Sequence, residues 1–253
     1  MSQIEIEAIP CLKDNYAYLL ARSDSADAYV VDPSEAEPVL AALERRELTL
    51  RGILATHHHA DHVGGIGELL VQTGGGRVGG GIFVGGHALD RGRIPEQTAF
   101  VEAPIGRFSP SGLRLFGLPL LAMHIPGHTR AAIAWAIPDA SDTPEDVFTG
   151  DTLFGAGCGR LFEGTPEQMY TSLKALTALP ATARLWFGHE YTESNLRFAA
   201  TVEPDSAAIA DRRGRLAPQT TPTTVALERA TNPFVRAASV EELAARRAAK
   251  DKF

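Results

Sequence analysis

"THHHADHVGG", residues 56–65, packs four histidines and one aspartate into positions 57–62. Neither an apolar core nor a solvated surface asks for that composition, so the stretch reads as a ligand cluster. The apolar run "LRGILAT" (50–56) predicts a buried strand that feeds straight into it. On an extended backbone His57 and His59 point the same way and can grip one ion. His58 then points to the opposite side and reads as a packing or supporting histidine. Asp61 and His62 fall where the loop turns into a helix, facing a second ion. "VGGIGELLVQTGGG" reads as a helix that ends in glycine.

Two ions need more ligands than four residues offer. Three further candidates share one grammar, an apolar run, then glycine, then the ligand: His128 in "IPGHT", Asp151 in "FTGDT" and His189 in "WFGHE". Glycine lets the backbone pass close to a crowded site. The assembled set puts His57, His59, His128 and Asp151 on one metal. Asp61, His62, His189 and the bridging Asp151 hold the other, with water in the open positions. A structural zinc site closes on four Cys or His ligands, whereas this set is carboxylate-rich and longer, which points to catalysis. Water bridging two dications is acidified to a hydroxide nucleophile near neutral pH. Histidine with carboxylate suits zinc, iron and manganese alike, so the ligands do not select among them; zinc is the expectation, with iron or manganese as alternatives. His87 and His124 lack this setting and read as loop or packing residues.

Along the rest of the chain, "YAYLLA" (16–21) and "AYVVD" (28–32) predict neighbouring strands, and "PSEAEPVLAALERREL" a helix started by a Ser34/Glu37 capping box. The glycine-rich "GGGRVGGGIFVGGHALDRGRIP" lacks the Gly-Lys-Ser/Thr ending of a phosphate loop and reads as a pliant loop around a short strand "IFV". Strands are expected at 113–116, 119–125, 131–137 and 146–150, with "ARLWFGHE" as the last. "GTPEQMYTSLKAL" is a helix with Thr165 as N-cap, Pro166 in the first turn and Gln168 completing the box. From about residue 191 the pattern turns helical. The expectation is an α/β catalytic domain over 1–175 and a mainly helical domain over 176–253, with His189 still serving the metals.

A formal charge of −7 argues against nucleic acid as the partner. The start "MSQIEIEAIP" has no apolar run, so no signal peptide is expected, and no stretch is apolar enough to cross a membrane. Cys11 and Cys158, far apart, suggest a reducing cytoplasm and no disulfide framework. Cys158, small and flanked by glycines, reads as packing.

These residues resemble the metallo-β-lactamase superfold and, within it, the glyoxalase II family of hydroxyacylglutathione hydrolases. The likeness runs through "KDNYAYLL" (13–20), "THHHADHVGG", "PGHT", "FTGDTLFGAGCGRLFEGT" (148–165), "FGHEYTESNLRFA" (187–199) and "NPFVR". It implies an αββα sandwich with a C-terminal helical substrate-binding domain, and each of the seven ligands falls on a family position. It also implies hydrolysis of S-D-lactoylglutathione to D-lactate and glutathione, in methylglyoxal detoxification; the mechanism expected is attack by the metal-bridging hydroxide, with Asp61 as a residue that helps orient it. The glutathione contacts carry over to Arg160 and Phe162, where other members have Lys and Tyr, to Tyr191, and to the basic pair Arg247 and Lys250, with Arg246 as a substitute for Arg247. A monomer acting on a small molecule is the family default. A lactonase or β-lactamase of the same fold would share the ligands but has no reason to keep the basic helical tail and "GCGR"; a sulfur dioxygenase of this superfold, using one iron at the first metal position, tends to be shorter at the C-terminus.

Overall fold

The computed structural model describes residues 3–74 and 81–253. By contacts it divides into two compact units, 1–102 with 111–120, and 103–110 with 121–253. In chain order the first holds β1 (Ile4–Cys11), β2 (Asn15–Arg22), β3 (Asp27–Val31), α1 (Ala36–Arg45), β4 (Thr49–Leu54), α2 (Ala60–Val63), α3 (Ile66–Gln72), β5 (Phe83–His87) and β6 (Ala99–Val101). The strands form one sheet in the order β1-β2-β3-β4-β5-β6. β1, β2 and β3 run antiparallel, and β3 through β6 pair in parallel. β2 is buried at all eight positions. Val39 and Leu43 of α1 and Ile66 and Leu69 of α3 pack with Leu19, Val30 and Ile53 in this unit's core.

β1 was not anticipated. Its Ile-Glu-Ile-Glu alternation is an edge-strand pattern, and the glutamates face α1, where Arg46 pairs with Glu5 at 2.6 Å and with Glu7 at 3.3 Å. The Ser34 capping box does not form. Glu35 takes the N-cap position of α1 with no side-chain cap, while the Ser34 hydroxyl donates to the Asp61 carbonyl at 2.6 Å. The helix starts one residue later than the box requires, and the Ser34 side chain is turned to a tertiary partner instead. The "IFV" expectation is met by β5, which runs on through Gly85 and Gly86; positions 75–80 of that glycine-rich stretch lie outside the described residues.

The chain continues with β7 (Ser109–Leu115), β8 (Leu118–His124), β9 (Ile133–Pro138), β10 (Pro144–Gly150), the hairpin β11 (Leu153–Phe154) and β12 (Gly157–Cys158), α4 (Pro166–Thr177) and β13 (Arg184–Phe187). Then follow α5 (Thr192–Val202), α6 (Ala207–Gly214), β14 (Thr223–Thr224), α7 (Val225–Thr231) and α8 (Val240–Lys250). The second sheet has the order β14-β13-β10-β9-β8-β7, so β13 is followed by one more short strand. α4 starts on the expected box: Thr165 accepts from the Gln168 amide and the Gln168 side chain accepts from the Thr165 amide. The unanticipated α7 is capped by the Thr224 hydroxyl, which accepts from the Leu227 amide at 3.2 Å. Its Glu228, fully buried, accepts from Arg212 (2.8 Å), Thr223 (2.7 Å), the Ala156 amide (2.8 Å) and Asn232 (2.8 Å). That network pins the β11–β12 hairpin to the helices, and Asn232, from "NPFVR", adds a bond to the Gly157 carbonyl at 2.9 Å. No helix among the described residues is long and apolar enough to cross a membrane.

Candidate metal centre and substrate pocket

Parallel strands end together, and the loops beyond their carboxyl ends are where open α/β sheets present ligands. In the first unit β3 and β4 pair in parallel up to Val31 opposite Leu54, and the Asp32 amide donates to the Leu54 carbonyl at 2.9 Å. Asp32 and the 56–62 loop therefore emerge side by side. His57 is buried and its Nε2 lies 3.1 Å from His59 Nδ1. His62, also buried, sits on the first turn of α2 with its ring 4.2 Å from that of His57. Asp61 is partly exposed, and its carbonyl accepts from Asn15 (2.9 Å) and Ser34 (2.6 Å). His58 points away from this group and lies 3.0 Å from the fully buried Asp90.

Asp32 is the residue that sequence reading missed. Its carboxylate accepts from the Thr56 amide (2.7 Å), the Thr56 hydroxyl (2.6 Å) and His62 Nδ1 (2.9 Å). Because the Thr56 hydroxyl proton is spent on Asp32, its oxygen accepts from His57 Nδ1 at 3.1 Å. One carboxylate thus sets the tautomer of two histidines and leaves the Nε2 lone pair of each for a ligand. Asp32, His57 and His62 lie within ligating reach of one another, yet both oxygens of Asp32 are engaged in orienting its neighbours. The available signal was an acid ending an apolar run, "AYVVDP", a short step before the helix.

The second unit repeats the device. β10 and β13 pair in parallel, with Gly150 opposite Phe187 and the Gly188 amide donating to the Gly150 carbonyl at 3.0 Å, so Asp151 and His189 leave the sheet as neighbours. His128 comes from the turn between the antiparallel β8 and β9. Asp151 Oδ2 lies 3.5 Å from His128 Nε2 and 3.3 Å from His189 Nε2. His128 Nδ1 donates to the Arg160 carbonyl at 2.9 Å, again fixing the ring through its second nitrogen. Gly159 is obligatory beside it: a Cβ there would stand 2.0 Å from the Asp151 carbonyl oxygen and 2.8 Å from His128 Nδ1. His189 stacks on Tyr191 with ring centroids 4.7 Å apart and planes 6° from parallel.

The same unit carries a pocket of about 430 Å³ lined by Arg160, Leu161, Phe162, Pro166, Ala244, Arg247, Ala248 and Asp251. Phe162, exposed, sets its ring edge-on against His128 at 5.3 Å. Arg247 is buried, donating to the Cys158 carbonyl at 2.7 Å and to Asp251 at 3.0 Å. Arg246 turns elsewhere, to Glu242, Glu203 and the Pro233 carbonyl. Lys250 and Tyr191 are not part of the pocket lining. The Lys250 ammonium donates to the Ser194 carbonyl (3.0 Å) and hydroxyl (3.1 Å), and burial, with Arg247 and Arg197 nearby, lowers its pKa to about 8. Burial raises the Cys158 thiol to about 11, so it stays protonated at neutral pH. Burial lowers the pKa of His124, whose Nε2 is bonded to the Arg130 carbonyl, and His87 caps a short turn by accepting from the Leu89 amide; both are packing residues.

Comparison with known proteins decides the family. A model described as the metallo-beta-lactamase superfamily matches residues 13–189, and one described as the hydroxyacylglutathione hydrolase C-terminus matches residues 190–253. The chain belongs to the hydroxyacylglutathione hydrolase, or glyoxalase II, family. Relatives named hydroxyacylglutathione hydrolase include one from Synechococcus sp., 46% identical over 92% of this chain and 89% of its own. Another, from Prochlorococcus marinus, is 43% identical over 98% of this chain and 93% of its own. Among solved structures, ETHE1 from Myxococcus xanthus matches with a TM-score of 0.68 at 25% identity, over 96% of this chain and 90% of that one. TTHA1623 in a di-iron-bound form matches with a TM-score of 0.58 at 27% identity, over 89% of this chain and 98% of that one. The fold is the metallo-β-lactamase fold with a helical C-terminal part.

A family member of this fold uses a divalent metal, and the residues fit one. Two ligands on a tetrahedral ion with metal–nitrogen bonds of 2.0–2.1 Å stand about 3.3 Å apart. The His57–His59, His128–Asp151 and His189–Asp151 separations of 3.1, 3.5 and 3.3 Å match that edge. The two involving Asp151 are longer than a charge-assisted hydrogen bond of about 2.7–2.9 Å. Neutral imidazoles oriented through their second nitrogens are the donors such an ion takes.

Proposed function

We propose that this enzyme hydrolyses S-D-lactoylglutathione to D-lactate and glutathione, as a monomer in the cytoplasm. The observation that carries the reading is the continuity of the glyoxalase II C-terminal match with a pocket in which Arg160 and Arg247 converge beside the His128 loop. Residues 1–175 form the catalytic part and 176–253 the substrate-binding part in this reading, with His189 reaching back to the metals. His57, His59, His128 and Asp151 would hold one divalent ion, and Asp61, His62, His189 and Asp151 a second, zinc in both positions. The family model that spans 13–189 takes in all seven of these residues. When bound, such ions supply Lewis acidity and an acidified water near neutral pH.

The chain's own residues do the rest. Asp61, steadied through its carbonyl by Asn15 and Ser34, orients the attacking water. Arg160 and Arg247 take carboxylate of the tripeptide, with Phe162, Tyr191 and Lys250 as further contacts. Phe162 brings an apolar ring without the hydroxyl a tyrosine would offer. No residue need protonate the leaving group, because a thiol with a pKa of about 8.5 leaves as thiolate. The test is the initial rate of S-D-lactoylglutathione hydrolysis by purified protein before and after chelation. Turnover that chelation abolishes and added divalent metal restores is expected. A metal-loaded protein without turnover on this thioester refutes the assignment.

A further inference from the structure

The geometry points to Asp251 as the residue that sets how tightly the pocket holds anionic ligands: its carboxylate occupies, on Arg160 and Arg247, the place a ligand carboxylate takes. This rests on the glutathione reading above. Asp251 Oδ1 lies 3.0 Å from the Arg247 NH2 group and 3.4 Å from Arg160 Nε, in the pocket lined by both arginines. Two cations from separate segments therefore share one internal anion at the point where they converge.

Helix stability does not explain that carboxylate. Asp251 is the C-cap of α8, where the helix dipole disfavours negative charge, and an acid four residues after an arginine is the weaker orientation of such a pair. Nor does Arg247 depend on it for its place. The Arg247 guanidinium is buried, donates to the Cys158 carbonyl at 2.7 Å and lies over the Phe234 ring at 5.1 Å. Its Nε is buried and has no hydrogen-bond partner among the described residues. The backbone of Arg160 is tied to His128 through its carbonyl. Without the Asp251 charge, Arg247 keeps its Cys158 contact and both guanidiniums lose the carboxylate that competes with a ligand for them.

Asp251 is 42% exposed, so it yields to an incoming carboxylate at modest cost. With the aspartate the pocket's three charged lining residues sum to +1, and without it to +2. The carboxylate acts as a counterweight that limits retention of the anionic product.

Asp251→Asn keeps the shape and removes the charge. Glutathione binding to the metal-loaded enzyme is measured by calorimetry, with glutathione glycine ethyl ester, one carboxylate blocked, as comparator. The expected result is a Kd for glutathione about three- to tenfold lower in D251N, a smaller gain for the ester, and loss of the gain at about 0.5 M salt. Asp251→Glu, which keeps the charge, is expected to bind like the wild type. Should D251N fold poorly by thermal melting, Asp251→Ser is expected to give the same sign. Equal or weaker glutathione binding in the neutral variants overturns the assignment and makes Asp251 an orienting group. Wild-type enzyme that neither binds glutathione nor hydrolyses its lactoyl thioester instead sinks the reading on which the inference rests.

Discussion

Asp32→Asn is the sharpest test of how the first half of the metal centre is held. Asp32 is 2% exposed and has a left-handed backbone (φ 48°), a conformation asparagine accepts and alanine resists. The substitution therefore isolates the side-chain chemistry. One carbonyl oxygen still accepts from the Thr56 amide. An NH₂ group replaces the oxygen that accepted from the Thr56 hydroxyl and His62 Nδ1 at 2.6 and 2.9 Å. Two donors then face a donor. Relief requires His62 to move its proton to Nε2, which removes the lone pair a metal needs. Losing two hydrogen bonds to a buried charge costs about 3–5 kcal/mol. Metal affinity should fall about 10- to 100-fold, as for other supporting groups of metal ligands. Urea denaturation of the chelated protein reads the first quantity, and competition against a chromophoric chelator reads the second. A variant within about 1 kcal/mol of wild type that also keeps its metal would refute the orienting role of Asp32.

Three further outcomes follow from particular contacts. Gly159→Ala should fold but lose metal and turnover together, because its Cβ would strike the Asp151 carbonyl at 2.0 Å; metal content by mass spectrometry checks this, and a fully loaded, active G159A would contradict it. Glu228→Gln leaves Arg212 buried without its counter-charge and should cost about 3–5 kcal/mol in chemical denaturation, with a change under about 1 kcal/mol arguing against the network. Lys250, with a folded pKa of about 8 against an ordinary 10.5, is disfavoured in its charged form by the fold. The unfolded chain therefore holds its proton to higher pH, and Lys250 should make stability rise between about pH 8 and 10.5. Melting curves of wild type and Lys250→Met across that window should diverge; parallel profiles would show that the pKa is not lowered.

"THHHADHVGG" and the apolar-run, glycine, polar-residue grammar at His128, Asp151 and His189 stood out as candidate ligands because metal chemistry restricts both composition and spacing. The α4 start was legible for a similar reason, since a capping box is satisfied within four residues. Ser34 shows the opposite: the same local pattern was present, but its hydroxyl donates to the Asp61 carbonyl, close in space and 27 residues away in sequence, and the helix begins after Glu35. Sequence periodicity carries no information about such long-range competition.

The family and a set of candidate ligands were thus readable from the chain alone, because they depend on which atoms are present and on their order. Only the tertiary structure decided which groups orient those atoms. Asp32 governs His57 and His62 because β3 and β4 end in register. The Arg160 carbonyl fixes His128 because Gly159 lets two loops pass within contact. Asp251 meets Arg160 because α8 ends against the segment that follows β12. Each is a pairing between distant segments, set by strand register and close packing, and a one-dimensional pattern cannot encode it.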